Sequence, residues 1–290
     1  MERMYYPRSV DKELTKEILS IPEASHVHKY TAISKKEAIA AWIIQSLPPF
    51  RNLYEEYAFV GNIGIKAYIK PSYKLYVDAS YDIDVAVKNV DAFKVDSMLI
   101  KRDRLIRNRR GKFTSFDYKY YCEFSPFEFY RFLIPPFKVG NGEYKEVDIF
   151  DIETGIGPIP LESRDFKKAS KVGFLYVLPL DVLLATYLNT EAYTDERLRR
   201  AFWATISNEN VDVHSFEQRI EESVDRVRKA ELSLIDYKNG FGEIRKKCEE
   251  LEKMYERKKI NGKLKEDDHL ENWKNIRRSI ERLYERLPVD

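Results

Sequence analysis

Cysteine is nearly missing from this chain: Cys122 and Cys248 are the only two in 290 residues. That excludes a disulfide framework and a thiolate metal cluster. The four histidines, His26, His28, His214 and His269, are too scattered for a zinc site. Glutamine is confined to Gln45 and Gln218 while Lys, Arg and Glu abound, a bias shared with thermophile proteins. No run approaches the roughly 18 apolar residues of a membrane span. The first ten residues, MERMYYPRSV, lack the apolar stretch of a secretory signal. The expectation is a soluble, cytoplasmic protein with no membrane partner. An excess of one charge sign is also lacking: 50 Lys and Arg against 48 Asp and Glu leave a net charge of +2. Any nucleic-acid surface must therefore be local. There is no internal repeat and no low-complexity tract.

What is present suffices for about two domains at roughly 100–200 residues each. A hydrophobic fraction of 43% supports a core, and a charged fraction of 34% a highly charged surface. Residues 1–50 read as an N-terminal helical segment, 51–178 as an α/β domain and 179–290 as a helical bundle. Ser34 and Glu37 have capping-box spacing for a helix to about Ser46, with Ala38, Ile39, Trp42 and Ile43 on one face and Pro48-Pro49 as its stop. Tyr57 to Val60 read as a buried strand, Gly61-Asn62 as a tight turn, and Ile63 to Lys70 as a helix stopped by Pro71. Strand signals follow around Tyr81 to Val87, at 113–124, at 145–152 and at 172–178, with a short helix at Asp91–Ile100. The stretch FSPFEFYRFLIPPF reads as an insertion or buried connection. Pro179 is placed to open the helix LDVLLATYL. From about 211, apolar residues keep helical spacing in three helices, with breaks expected at Lys238-Asn239-Gly240 and Lys259 to Asp268.

The chemistry centres on Asp82-Ile83-Asp84. On a strand, side chains two apart share a side, so the two carboxylates converge. Like charges held that close favour a cation between them, and Mg²⁺ suits oxygen ligands. The plain alternative is that Asp78, Asp82 and Asp84 decorate a solvated strand face. The Gly61-Asn62 turn upstream, leading into a helix, favours an anion site there, with Lys66 one turn on and within reach of a phosphate. Asp148, between Val147 and Ile149, offers a third carboxylate. Asp151 has the opposite parity.

These segments resemble the nucleotidyltransferase superfamily, whose signature is an apolar residue before a Gly-Gly or Gly-Ser turn, a helix, then Asp-x-Asp on a strand and a third acid on a later one. The nearest look-alike is the AbiEii-type toxin and abortive-infection group. The matching stretches are Val60-Gly61-Asn62-Ile63-Gly64-Ile65, Ser80-Tyr81-Asp82-Ile83-Asp84-Val85, Val147-Asp148-Ile149 and Leu178-Pro179-Leu180-Asp181-Val182-Leu183, within residues 55–210. The resemblance implies a mixed sheet with flanking helices and a helical domain after it. It implies catalysis and metal binding by Asp82, Asp84 and Asp148, with one or two Mg²⁺ ions, and an NTP held by Gly61 and Asn62. Asn62 stands where the second glycine or serine is usual, Tyr187 near the place of a lysine, and Arg197, Arg199 and Arg200 loosely where an Arg-x-Lys-Asp stretch is usual.

The segment KRDRLIRNRRGK at 101–112 offers Arg102, Arg104, Arg107, Arg109 and Arg110 to RNA phosphates, with Phe113, Phe116, Tyr118, Tyr120 and Tyr121 nearby for stacking. A solvated basic loop is the alternative. The C-terminal helices read as a structural bundle laced with surface ion pairs, or, more sharply, as a lid or dimer arm. The reading is a Mg²⁺-dependent transferase moving an NMP from an NTP to an acceptor hydroxyl, with tRNA or another RNA as the implied acceptor, a toxin-like role and a cognate antitoxin. The rival readings are a catalytically silent nucleotide- or RNA-binding module of the same fold and a partner-binding scaffold.

Overall fold

The computed structural model describes residues 20, 22–45, 56–78, 83–89, 106–107, 113–114, 119–122, 125–134, 145–150, 152, 155–189, 194–261, 264 and 268–287. Helices α1 (Pro22–Tyr30) and α2 (Lys35–Gln45) come first. The capping box at the start of α2 is formed: Glu37 N donates to Ser34 Oγ at 3.2 Å, and Ser34 N donates to Glu37 Oε2 at 2.7 Å. Ala38 and Ile39 are buried and Trp42 is half-buried. The Ile43 side chain lies outside the described residues.

Strand β1 (Tyr57–Phe59) runs straight into helix α3 (Gly61–Lys66). The helix starts two residues earlier than the sequence suggests, because Gly61 at φ +54° turns the chain out of the strand at once. It also ends earlier, and Pro71 opens a 3₁₀ turn over Pro71–Tyr76. Strands β2 (Ile83–Val87), β3 (Ile106–Arg107), β4 (Phe113–Thr114), β5 (Lys119–Cys122), β6 (Ser125–Ile134) and β7 (Lys145–Phe150) follow, then α4 (Ser163–Lys167), β8 (Ser170–Val172) and β9 (Leu175–Val177). The seven-stranded sheet has the order β5-β6-β7-β2-β1-β9-β8, and β3-β4 form a separate pair. The sheet is mixed: β2 with β7 and β1 with β9 are parallel, and the other neighbours are antiparallel.

The segment expected as an insertion, Ser125–Ile134, is instead a ten-residue strand next to the sheet edge. Its prolines misled because Pro126 sits at the strand start and Pro135-Pro136 fall beyond its end, where proline costs a strand little. The expected helix at Asp91–Ile100 lies outside the described residues.

Alternation along β1 and β2 serves two cores. Tyr57, Phe59, Ile83, Val85 and Val87 join α1 and α2 residues such as Val27, Ala38 and Ile44 in one buried cluster. Ala58, Val60 and Ala86 face the other way, into a cluster with Leu183, Phe202, Trp203 and Trp273. That cluster draws on α5 (Leu180–Tyr187), α6 (Asp195–Ser207), α7 (Val213–Lys229), α8 (Leu234–Ile260) and α9 (Leu270–Arg286). The expected helical region after residue 178 is therefore present, and its core is continuous with one face of the sheet. Rings of Phe202 and Trp273 meet edge-on at 5.1 Å within it.

The expected break at Lys238-Asn239-Gly240 does not occur. The chain stays helical from Leu234 to Ile260, and the turn comes earlier, where Glu231 takes φ 57° and the Ser233 side chain caps the next helix. A glycine inside a helix costs only about 1 kcal/mol, and tertiary packing offsets it. Lys238 Nζ, buried, donates to Leu287 O at 2.7 Å. A Cβ on Gly242 would stand 3.1 Å from Tyr284 Cε2, so the bare glycine lets α9 lie close. The second break is as expected, with α8 ending at Ile260 and α9 starting at Leu270. Ion pairs between outer faces, such as Arg286 Nη1 to Glu221 at 2.6 Å, are exposed and worth about 0–1 kcal/mol each.

Candidate active site

Asp84 and Asp148 meet across the parallel pair β2–β7. They are register partners, Asp84 opposite Asp148, flanked by the pairs Ile83–Val147 and Val85–Ile149. Register partners on adjacent strands lie about 4.8 Å apart with their side chains on one side of the sheet. Ile83, Val85 and Ile149 fill the cluster beneath α1 and α2, while Ala86 points to the helical side. By alternation both carboxylates also lie on the helical side, Asp84 half-buried and Asp148 7% exposed. Asp82 and Asp151 lie outside the described residues.

Gly61 closes over Asp84. A Cβ built on Gly61 would fall 1.7 Å from Asp84 Oδ2, and Val60 N donates to Asp84 O at 2.9 Å. The glycine is thus required twice, by its positive φ and by the carboxylate that occupies the missing side chain's place. The turn and the acid, separated in sequence, form one unit.

From the helical side, Tyr187 at the end of α5 lies within electrostatic reach of Asp84. Its phenol is buried, takes a hydrogen bond from Arg200 and feels the charge of Asp84. Burial is the main force raising its pKa well above the usual tyrosine range, with Arg197 and Arg200 opposing it. The Arg197 guanidinium stands 5.6 Å from the Tyr187 ring centre. Arg200 is 7% exposed, and its Nη2 lies 3.4 Å from Glu196. Its Nε is buried without a hydrogen-bond partner. A buried guanidinium nitrogen without an acceptor is a costly arrangement that an anion would relieve. Arg199 is exposed on another side of α6.

Asn62 and Lys66 behave differently from the sequence expectation. Neither side chain is offered to solvent: they are 4% and 2% exposed. Lys66 Nζ donates to Glu37 Oε1 at 2.8 Å and Asn62 Nδ2 donates to the same oxygen at 3.0 Å. Burial works against both charges of the pair. At Glu37 the nearby Lys66 charge and hydrogen bonds from Lys66 and Ser34 prevail and hold the carboxyl below the usual glutamate range. At Lys66 burial prevails and draws the ammonium below the usual lysine range. In this arrangement Lys66 holds the inside of the fold and not a phosphate.

Of the basic stretch, Arg102, Arg104, Arg109 and Arg110 lie outside the described residues, and Arg107 is placed only by its backbone pairing with Phe113. Among the described residues, no three His, Cys, Asp or Glu side chains gather to hold a metal ion. The pair Asp84–Asp148 has the right donor chemistry, hard carboxylate oxygens, with two such groups side by side. Also among them, no helix is long and apolar enough to cross a membrane. Sequence reasoning treated Glu37 only as a cap and the positions of Tyr187 and Arg200 as departures. The contacts of Glu37 with α3 and of Arg200 with Tyr187 depend on tertiary packing that no local pattern encodes. No protein-family model matches the chain, and no curated protein matches it.

Proposed function

We propose that this chain transfers a nucleoside monophosphate from an NTP to an acceptor hydroxyl. One observation carries the reading: Asp84 and Asp148 are register partners on adjacent parallel strands, with Gly61 packed directly against Asp84. In the transfer, the acceptor oxygen bonds to the α-phosphorus, the bond to the β-phosphate breaks, pyrophosphate leaves and the acceptor loses its proton. Asp84 and Asp148, with Asp82, would hold Mg²⁺, which when bound supplies charge neutralisation at the triphosphate. Asp148 is also the group that positions the acceptor hydroxyl or takes its proton. Arg200, with Arg197, meets negative charge on the nucleotide. Most of such catalysis is positioning and electrostatics. RNA is the acceptor class that the resemblance and the basic stretch at 101–112 favour, and a toxin-like role with a cognate antitoxin belongs to the same proposal.

A second reading is a module of the same fold that binds an NTP and does not turn it over. The inward commitment of Lys66 to Glu37 favours it. Incorporation of each α-labelled NTP into total RNA and into the protein itself separates the two. The expected result is label with the wild type and none with Asp84→Ala or Asp148→Ala. NTP binding without label from any NTP selects the silent module. Neither binding nor label sinks both.

A further inference from the structure

Glu37 lies far from the carboxylate pair in sequence, and its local role is complete without that pair: it closes the capping box of α2 with Ser34. Yet its Oε1 takes two further hydrogen bonds, from Asn62 and from Lys66, which sit at opposite ends of the short helix α3. Helix α2 is thereby pinned to both ends of α3 by one carboxylate that is 5% exposed. The residue before Asn62 is Gly61, whose backbone stands where its missing Cβ would collide with Asp84 Oδ2. A shift of α3 by even an ångström therefore moves what Asp84 rests against.

We propose that Glu37 is a positioning residue for the Asp84 carboxylate, acting through Asn62, Lys66 and the Gly61 turn. This rests on the reading that Asp84 is a metal ligand. Asn62 and Lys66 then serve the site from within, by fixing the turn, and not by touching a nucleotide. Glu37→Gln keeps the side-chain size and an acceptor oxygen, and removes the charge that Lys66 needs.

The test uses the full chain and Mn²⁺ alone as the probe, titrated by the paramagnetic signal of the free ion, with hydrogen exchange of the backbone amides at 60–66 measured in parallel. Glu37→Gln is expected to weaken Mn²⁺ binding by about 10-fold or more, as loss of a supporting contact around a metal site does. Exchange is expected to speed up at residues 60–66 and not in α7 or α9. Glu37→Gln/Lys66→Met removes both charges and covers the case in which the single variant does not fold; it is expected to melt cooperatively and still bind Mn²⁺ weakly. Wild-type Mn²⁺ affinity in a folded Glu37 variant, with amides 60–66 still protected, overturns the proposal. If the wild type itself binds no Mn²⁺, the metal reading fails and with it the role given to Glu37, whereas loss of binding in Asp84→Asn alone, with Glu37→Gln unaffected, overturns only the latter.

Discussion

Gly61 and Asp84 occupy space that only a glycine can share: a methyl group on the first would stand 1.7 Å from Oδ2 of the second. Gly61→Ala is therefore expected to displace the carboxylate as well as strain the backbone. The left-handed conformation alone costs a non-glycine residue about 1–2 kcal/mol. Urea unfolding should show at least that loss. Divalent-ion binding should fall more steeply than stability does, since the side chain that must move is the proposed ligand. A Gly61→Ala protein with wild-type ion affinity would detach the turn from the site.

The register pair Asp84–Asp148 sets two like charges side by side on one face of the sheet. Mg²⁺ should raise the melting temperature of the wild type. Ligand at about a hundred times its dissociation constant stabilises by about 2.7 kcal/mol. Asp84→Asn and Asp148→Asn should each respond little to its addition. Scanning calorimetry with and without the ion checks both halves, and an undiminished Mg²⁺ shift in either variant would count against the pair as ligands.

Arg200 should matter to nucleotide affinity more than to folding. A hydrogen bond to a charged group contributes about 1.5–3 kcal/mol, so Arg200→Met is expected to weaken NTP binding by roughly 10- to 100-fold. Tyr187→Phe keeps the buried ring and loses one hydrogen bond, at a stability cost near 1 kcal/mol. Equilibrium binding of a fluorescent NTP analogue measures the first effect and denaturant titration the second. Equal affinity in Arg200→Met would place the phosphates elsewhere.

Glu37 gives the fold an acid-sensitive joint. Its carboxyl is held below the usual glutamate range: burial pushes it up, and the Lys66 charge with the Lys66 and Ser34 hydrogen bonds more than offsets that. A depressed folded value means the unfolded chain binds the proton more readily. The stabilising contribution is then complete above the ordinary glutamate pKa and disappears as pH falls through the lower, folded value. Wild-type stability should decline in that acid window, and the decline should be shallower in Glu37→Gln. Lys66→Met leaves the carboxylate buried without its cation, a change that costs about 3–5 kcal/mol for a buried pair. Urea titrations from neutral to acid pH test both statements.

Much of this was legible in the chain. Strand parity places Asp84 opposite in facing to Ile83 and Val85, and three-residue spacing announces the Ser34–Glu37 cap. Both are local rules, and both hold. What the sequence hid is non-local. Nothing near Glu37 says that Asn62 and Lys66 will reach it, and nothing near Lys66 says that its ammonium will turn inward. The helix through Gly240 and the strand beginning at Ser125 were hidden for a related reason. Glycine and proline signal breaks on average, but in α8 tertiary contacts with α9 decide, and in β6 the prolines sit at the strand's ends, where they do no harm.

The three-residue strand β1 lies between β2, which follows it closely, and β9, whose Val177 is the register partner of Phe59. During synthesis its inner edge can be closed by β2 early. Its other edge stays open until more than a hundred further residues have left the ribosome. Such long-range pairing is slow to form, and an open edge in the meantime invites a neighbouring chain to bind there. The order of events during folding is thus written into the sheet: the strand that carries the glycine turn is finished last, and truncated or stalled chains ending before residue 177 should aggregate through it.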